Sequence, residues 1–536
     1  MTAPTVRPGR AGTLLGSAAL IAAVTLLARV TGFGRWLVFS AEVSAQCVGT
    51  AYSTANQVPN VLFEVAAGGA LAGAVVPLLA APLTRGEDGR RDVDAIASAL
   101  LTWAVAVLLP LSVVVALLAG PLTSVMLGPE QCAGQRALAV RMLLVFAPQV
   151  LLYGVGTVLT GVLQAHRRFL WPALAPLLSS VVVIAAYGMF GATADGRKDA
   201  AAALPGRAEA WLAWGTTAGV VAMTLPLLVP ALRTGTRLRP TLTFPPGVAA
   251  RARTLAAAGI SALLAQQASV VVVLWLANRG GGEGALNVYQ YTQAVYVLPY
   301  AVLAVPLATS AFPRLAERAG LGDRAGFARA AAGTTRGILV AGVLGAAVVA
   351  ATAPAVGAVF AHLDDGDVSR MPAALTATAP GLVGFALVAH VGRALYALER
   401  GRSAALATAA GWLVVVAGSV LAVAALPRPD AVTGLGAGSS LGMSVGGALL
   451  LVALARAAGG DALAGLGRTA AVAAAAGIAA AVVGRVATDA VLAGAGTSAG
   501  PAVLAGAAGG IVALVVLALV VLAGDRRVLG ALRGSA

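Results

Sequence analysis

The chain has 536 residues, 59% of them hydrophobic and only 11% charged, with a mean hydropathy of +0.90. Soluble domains carry about 25% charged residues, so this composition excludes an ordinary globular enzyme and describes a polytopic membrane protein. The net charge of +15 would suit nucleic acid, but the cations gather in every second loop, which is the signature of membrane orientation and excludes nucleic acid as a partner.

Apolar runs of roughly 20 residues between charged punctuation predict about fourteen membrane helices. The first, 14–40, follows Arg7 and Arg10. It outruns the apolar region of a secretory signal and ends in no small-residue cleavage site, so it reads as a helix of the protein. Arg29 and Arg35 lie inside it. A charge at membrane depth costs at least about 2.5 to 3.5 kcal/mol, so both should face a polar cavity, and two guanidinium forks suit an anion such as phosphate. They stand six residues apart, about 9 Å along a helix and off one ideal face; Gly32 and Gly34 between them allow a distortion that would turn both toward one chamber. The plainer alternative is that either arginine snorkels to an interface.

The second run, 53–81, holds Gln57, Asn60 and Glu64, the last being the clearest carboxylate at membrane depth. Glu64 reads either as a partner of an arginine or a proton carrier, or as a protonated acid bonded to a neighbour. Runs 95–120, 142–164, 171–190, 211–232 and 254–277 complete the first set, with Gln149 inside the fourth span. The second set is 289–312, 334–360, 376–398, 403–425, 434–455, 469–491 and 501–523. Its Gln290, Gln293, Tyr289 and Tyr291, like Asn60 and Gln149, read as interhelical hydrogen-bonding residues or as ligand contacts. The basic loops alternate with balanced ones such as Asp364, Asp365, Asp367 and Arg370, and the even count of spans puts both termini in the cytoplasm.

Pro59 and Pro77 bracket a small-residue helix ending Pro-Leu-Leu-Ala, and Pro299 and Pro313 bracket another ending Pro-Arg-Leu-Ala. An offset of about 240 residues points to a duplicated half. The expected architecture is all-α, with two pseudo-symmetric six-helix lobes, 1–232 and 254–456, a basic cytoplasmic linker 233–253, and two additional helices in 457–536. Proline and glycine in spans two and eight should bend the helices at a cavity wall. Cys47 and Cys132 map to the outer side, and thiols in apolar surroundings are more often unpaired.

Catalytic and cofactor chemistry is missing from the pattern. The only lysine, Lys198, is followed by aspartate, so there is no phosphate loop. His166, His362 and His390 have no ligand spacing, so no metal is expected, and no nucleophile elbow or paired carboxylates point to an enzyme.

The motif Arg29-Val-Thr-Gly-Phe-Gly-Arg35, then Val58-Pro-Asn-Val-Leu with Gly69-Ala and Val76-Pro77, resembles the first two helices of the MurJ/MviN family, lipid II flippases of the MOP exporter superfamily. Phe146-Ala-Pro-Gln149 and Gly161-Val-Leu-Gln-Ala-His-Arg-Arg-Phe-Leu-Trp-Pro-Ala-Leu-Ala-Pro176 are similar to its fourth and fifth helices, and Leu298-Pro-Tyr, Pro313-Arg-Leu and Ala394-Leu-Tyr-Ala-Leu to its second lobe. Phe63 and Glu64 stand where well-studied relatives carry a basic pair, Gln293 and Ala294 where they carry an acidic-basic pair, and Thr50 where they carry an acid. The resemblance implies a non-enzymatic flippase in the bacterial cytoplasmic membrane that moves a lipid-linked pyrophosphate, lipid II, between leaflets. It implies no cofactor, with membrane lipids and cell-wall synthesis proteins as partners. Arg29 and Arg35 would hold the pyrophosphate, with Asn60, Glu64 and Gln149 lining the cavity, and the membrane potential would drive the step, at about 2.3 kcal/mol per charge per 100 mV. A drug or polysaccharide-lipid exporter of the same superfamily, and a non-transporting cell-wall scaffold, are the alternatives.

Overall fold

The computed structural model describes residues 9–65, 72–83, 85 and 87–524; these are helical or loop, with no strand among them. Lipid cannot satisfy a backbone N–H or C=O, so long apolar segments must close their hydrogen bonds internally, as helices do. The helices gather into two compact units. Unit 1 is Met1–Val43, Thr54–Ser124 and Cys132–Leu263, and unit 2 is Ser44–Ser53, Val125–Gln131 and Leu264–Ala536.

Unit 1 begins with α1 (Gly9–Glu42), continuous through Gly32 and Gly34. The distortion those glycines allow does not occur, because regular helical bonding runs straight through them. Next come α2 (Cys47–Phe63), α3 (Ala72–Leu83), α4 (Glu87–Leu117), α5 (Ala119–Leu127), α6 (Gln135–Phe146), α7 (Gln149–Ala165), α8 (Leu170–Thr193), α9 (Gly206–Thr224) and α10 (Leu228–Leu232). Helix α4 illustrates the packing rule. Val93, Ile96, Leu100 and Ala104 recur at helical spacing and are buried in one cluster with Leu79 of α3 and Val162 of α7, while Trp103, Val107, Val113 and Leu117 are exposed. A helix apolar on both its packed and its open face belongs in lipid.

The linker expected at 233–253 is held to unit 1. Its extended portion runs along α4, where Asp94 accepts from Arg237 N (2.9 Å), Ser98 from Arg239 N (2.9 Å) and Thr102 from Thr241 N (3.1 Å). Four residues of helix rise about 6 Å and two of extended chain about 6.6 Å, so every second linker amide meets every fourth α4 side chain.

Unit 2 carries α11 (Val248–Gly280) from Leu264 onward, then α12 (Ala285–Pro299), α13 (Val305–Gly320), α14 (Arg324–Leu363), α15 (Met371–Thr378), α16 (Gly381–Ala397), α17 (Gly401–Ala425), α18 (Ala431–Ala458), α19 (Leu466–Ala495) and α20 (Ala499–Gly524). Small residues set its spacing: a Cβ on Gly411 of α17 would lie 2.9 Å from Gly446 Cα of α18, so only glycine permits that approach. Ala347 and Ala351 of α14, Ala476 and Ala480 of α19 and Ala513 of α20 form a second small-residue core.

Among the described residues, eleven helices are long and apolar enough to cross a membrane, or twelve when α15 and α16, bent by 44°, count as one span. The count of fourteen differs from this for a local reason. The expected spans 53–81 and 254–277 both run into residues whose placement or side chains lie outside the described set. Span 376–398 is broken at Pro380, where the pyrrolidine ring removes a helical N–H and the chain restarts as α16, whereas α6 and α7, parted at Pro148, count together as the single span Gln135–Ala165. Bends were expected in spans two and eight. Glu64 and Val65 form a π turn after α2, and Tyr300–Ala304 form another after Pro299. Free thiols were expected, but both cysteines are disulfide-bonded. Cys47 opens α2 and Cys132 lies in the turn before α6, so neither sits in the apolar helix interior that the free-thiol reading assumed.

Candidate functional site

All five expected site residues fall in unit 1. The polar face of α2 is the best-formed part. Pro59 sits inside this helix, removing one N–H from the ladder, and five residues on the backbone loosens into the π turn that carries Glu64. Such turns are frequent at functional sites because they re-aim a side chain out of helical register. Asn60 is half-buried; its Nδ2 donates to Gln57 Oε1 (3.4 Å), and its Oδ1 accepts from Tyr153 OH of α7 (3.2 Å). The Tyr153 ring packs on Phe63 with centroids 4.5 Å apart. Glu64, also half-buried, follows Phe63 directly. Gln57, Asn60, Phe63 and Tyr153 therefore form one amphipathic wall, in which an apolar ring pair supports amide and phenol groups, and Glu64 follows it in the π turn.

Gln149 lies one turn before Tyr153 on α7 but turns elsewhere. It is fully buried, and its Nε2 donates to Thr217 Oγ1 of α9 (2.8 Å), whose hydroxyl donates to Val145 O (3.0 Å). Gln149 Oε1 has no hydrogen-bond partner among the described residues. A buried acceptor without a donor carries a desolvation cost, which a ligand or a second conformation would relieve.

Arg29 is exposed and Arg35 half-buried on α1. Six residues of regular helix place them about 120° apart around the axis. Neither makes a hydrogen bond or ion pair with Asn60, Glu64 or Gln149 among the described residues. The structure joins Asn60 to Gln57 and Tyr153, and carries Glu64 in the π turn that follows α2. Tyr153 is the residue that sequence reading missed. Its signal was the i, i+4 spacing from Gln149, one helix face carrying two polar groups at membrane depth.

Among the described residues, no three His, Cys, Asp or Glu side chains cluster as metal ligands. Of the cavities, one of about 510 Å³ lies in unit 2 at the turn between α13 and α14, lined by Arg314, Glu317, Arg318 and Arg329. There Arg318 pairs with Asp323 at 2.7 Å.

Comparison with known proteins follows the same lines. A lipid II flippase MurJ in an inward closed conformation superposes with a TM-score of 0.70 at 16% identity, covering 94% of this chain and 99% of that one. An inward-facing multidrug MATE transporter of the MOP superfamily gives 0.67 at 13% identity, covering 84% and 99%. At these identities the likeness is one of fold. By sequence, the chain is 28% identical over 309 residues to lipid II flippase MurJ of Burkholderia cenocepacia, covering 55% of this chain and 56% of that protein. It is 30% identical over 224 residues to a probable lipid II flippase MurJ of Synechocystis sp., covering 41% and 40%. The chain thus matches about half the length of these relatives. The family model described as lipid II flippase MurJ matches residues 39–494. With most of its length covered by that match, the chain belongs to the lipid II flippase MurJ family.

Proposed function

We propose that the protein translocates lipid II, an undecaprenyl-pyrophosphate-linked peptidoglycan precursor, from the inner to the outer leaflet of the bacterial cytoplasmic membrane. The family match over residues 39–494 carries this reading. The chemistry of unit 1 agrees with it. Two guanidinium groups on α1 suit a pyrophosphate bidentately, and the α2 wall with the Glu64 that follows it offers amide, phenol and carboxylate groups to a sugar and peptide head group. The termini face the cytoplasm, as the alternating basic loops require. The two lobes and the linker at 233–253 are read as a duplicated transporter core, and cell-wall synthesis proteins as the neighbours that supply and consume the lipid.

Complementation of a flippase-depleted strain tests the site. Arg29→Ala removes a charge-assisted bond worth about 1.5 to 3 kcal/mol, roughly a ten- to hundredfold loss of substrate affinity, and abolishes growth support. Arg29→Lys keeps a point charge without the fork and leaves partial activity. Arg35→Ala follows the same direction more mildly. Normal growth from a normally expressed double alanine variant would exclude the phosphate-holding role and favour a scaffold.

A further inference from the structure

The loop after α14 reads from sequence as one of the charge-balanced loops, and in the structure Asp364 is only 7% exposed. Its Oδ1 accepts from Ser44 Oγ (2.6 Å), Ala45 N (2.8 Å) and Gly366 N (2.8 Å), and its Oδ2 accepts from Tyr291 OH (2.8 Å). Tyr291 is itself fully buried and stacked on Phe360, with centroids 4.9 Å apart. The segment held in this way, Ser44–Ser53, is short and lies between α1 and the bulk of α2 in sequence, but packs as part of unit 2.

The surrounding backbone is shaped to receive it. Gly284, at φ +74°, faces Ala45 O so closely that a Cβ there would overlap it, and a Cβ on Gly366 would stand 3.1 Å from Ala45 C. Ser44 adopts φ +71°, a left-handed conformation rare outside glycine that persists only where the surroundings fix it. Three residues earlier, in α1, Ala41 O accepts from Lys198 Nζ (2.7 Å), within unit 1. Cys47, which opens α2, is disulfide-bonded, so the turn that follows Ala41 is held by that bond and by one buried carboxylate.

We propose that Asp364 is a positioning residue for transport: it clamps the α1–α2 turn and so fixes the start of α2, the helix that bears Asn60 and leads into Glu64. The inference rests on the flippase reading. Asp364 touches no substrate in this role; it acts through the turn it holds.

Hydrogen exchange and lipid II flipping, measured on the same full-length protein in lipid, test it together. In wild type the amides of Ala45 and Gly366 are protected. Asp364→Ala speeds their exchange at least tenfold and lowers the flipping rate at least tenfold. Asp364→Asn keeps an oxygen for the three donors on Oδ1 and retains more than half of both. Ser44→Gly relieves the left-handed strain and removes one bond; it folds normally and shows faster exchange confined to 44–49 with a partial loss of flipping, which keeps the test open if the alanine variant fails to fold. Released exchange with unchanged flipping in either variant overturns the positioning role, and unchanged exchange overturns the clamp itself. A wild-type protein that protects these amides but moves no lipid II overturns the flippase reading, and the positioning role with it, while leaving the clamp standing.

Discussion

Tyr153 and Gln149, one turn apart on α7, face different partners and predict losses of different size when altered. Tyr153→Phe keeps the ring on Phe63 and leaves Asn60 Oδ1 without its donor, a loss of about 0.5 to 1.5 kcal/mol in stability by thermal or denaturant unfolding in detergent. Gln149→Leu removes one hydrogen bond but also removes the unpartnered buried Oε1, so its stability cost should stay below about 1 kcal/mol. If Oε1 receives substrate during transport, flipping falls while the unfolding midpoint holds; a variant that flips normally would return Gln149 to packing. At the level of single residues the sequence marked Glu64 as a carboxylate within an apolar run, and the structure finds it half-buried in a π turn. It was not legible at Asp364, because burial of a loop acid depends on Ser44, Gly284 and Tyr291, which are distant in sequence. Nor did it reveal that α1 stays regular through Gly32 and Gly34: glycine permits a distortion without requiring one.

The elements followed from apolar run length, and the breaks inside them followed proline chemistry only where the context enforced it. Pro148 and Pro380 separate helices, whereas Pro110 and Pro354 lie within continuous ones, α4 and α14. The linker could be read as basic but not as docked, since the ladder joining Arg237, Arg239 and Thr241 to α4 uses backbone amides that no side-chain pattern announces. Ser98→Ala orphans the Arg239 amide and should cost about 1 kcal/mol, seen as faster proteolysis within 236–246; an unchanged cleavage rate would mean that the ladder contributes nothing. At the start of α14, Asp323 caps the helix by accepting from Gly326 N (2.7 Å). That bond, with the Arg318 guanidinium, holds its carboxyl below the usual carboxylate range. A lowered folded value stabilises the native state above about pH 4, where the unfolded group ionises, and this contribution disappears as pH falls through the lowered value. Asp323→Asn, a good cap without the charge, should therefore unfold below wild type near neutral pH, lack the acid-limb dependence and converge with wild type as pH falls, while Asp323→Ala lowers the unfolding midpoint throughout.

For the whole molecule, the alternation of basic loops predicts that Arg251 faces the cytoplasm, and a reporter fused there is the direct check; an extracellular signal would invert the orientation and the leaflet from which substrate enters. The membrane class was plain from composition. The number of spans was less so, because helix breaks and tight glycine packing are set by neighbouring helices in lipid. Movement of lipid II is the proposed activity. Purified protein reconstituted into vesicles with fluorescent lipid II, and probed by a reagent that reaches only the outer leaflet, measures that movement directly. The account predicts translocation well above protein-free vesicles, accelerated by an imposed potential and lost in the Arg29→Ala/Arg35→Ala variant. Equal rates with wild-type protein, with the double variant and with no protein would contradict it.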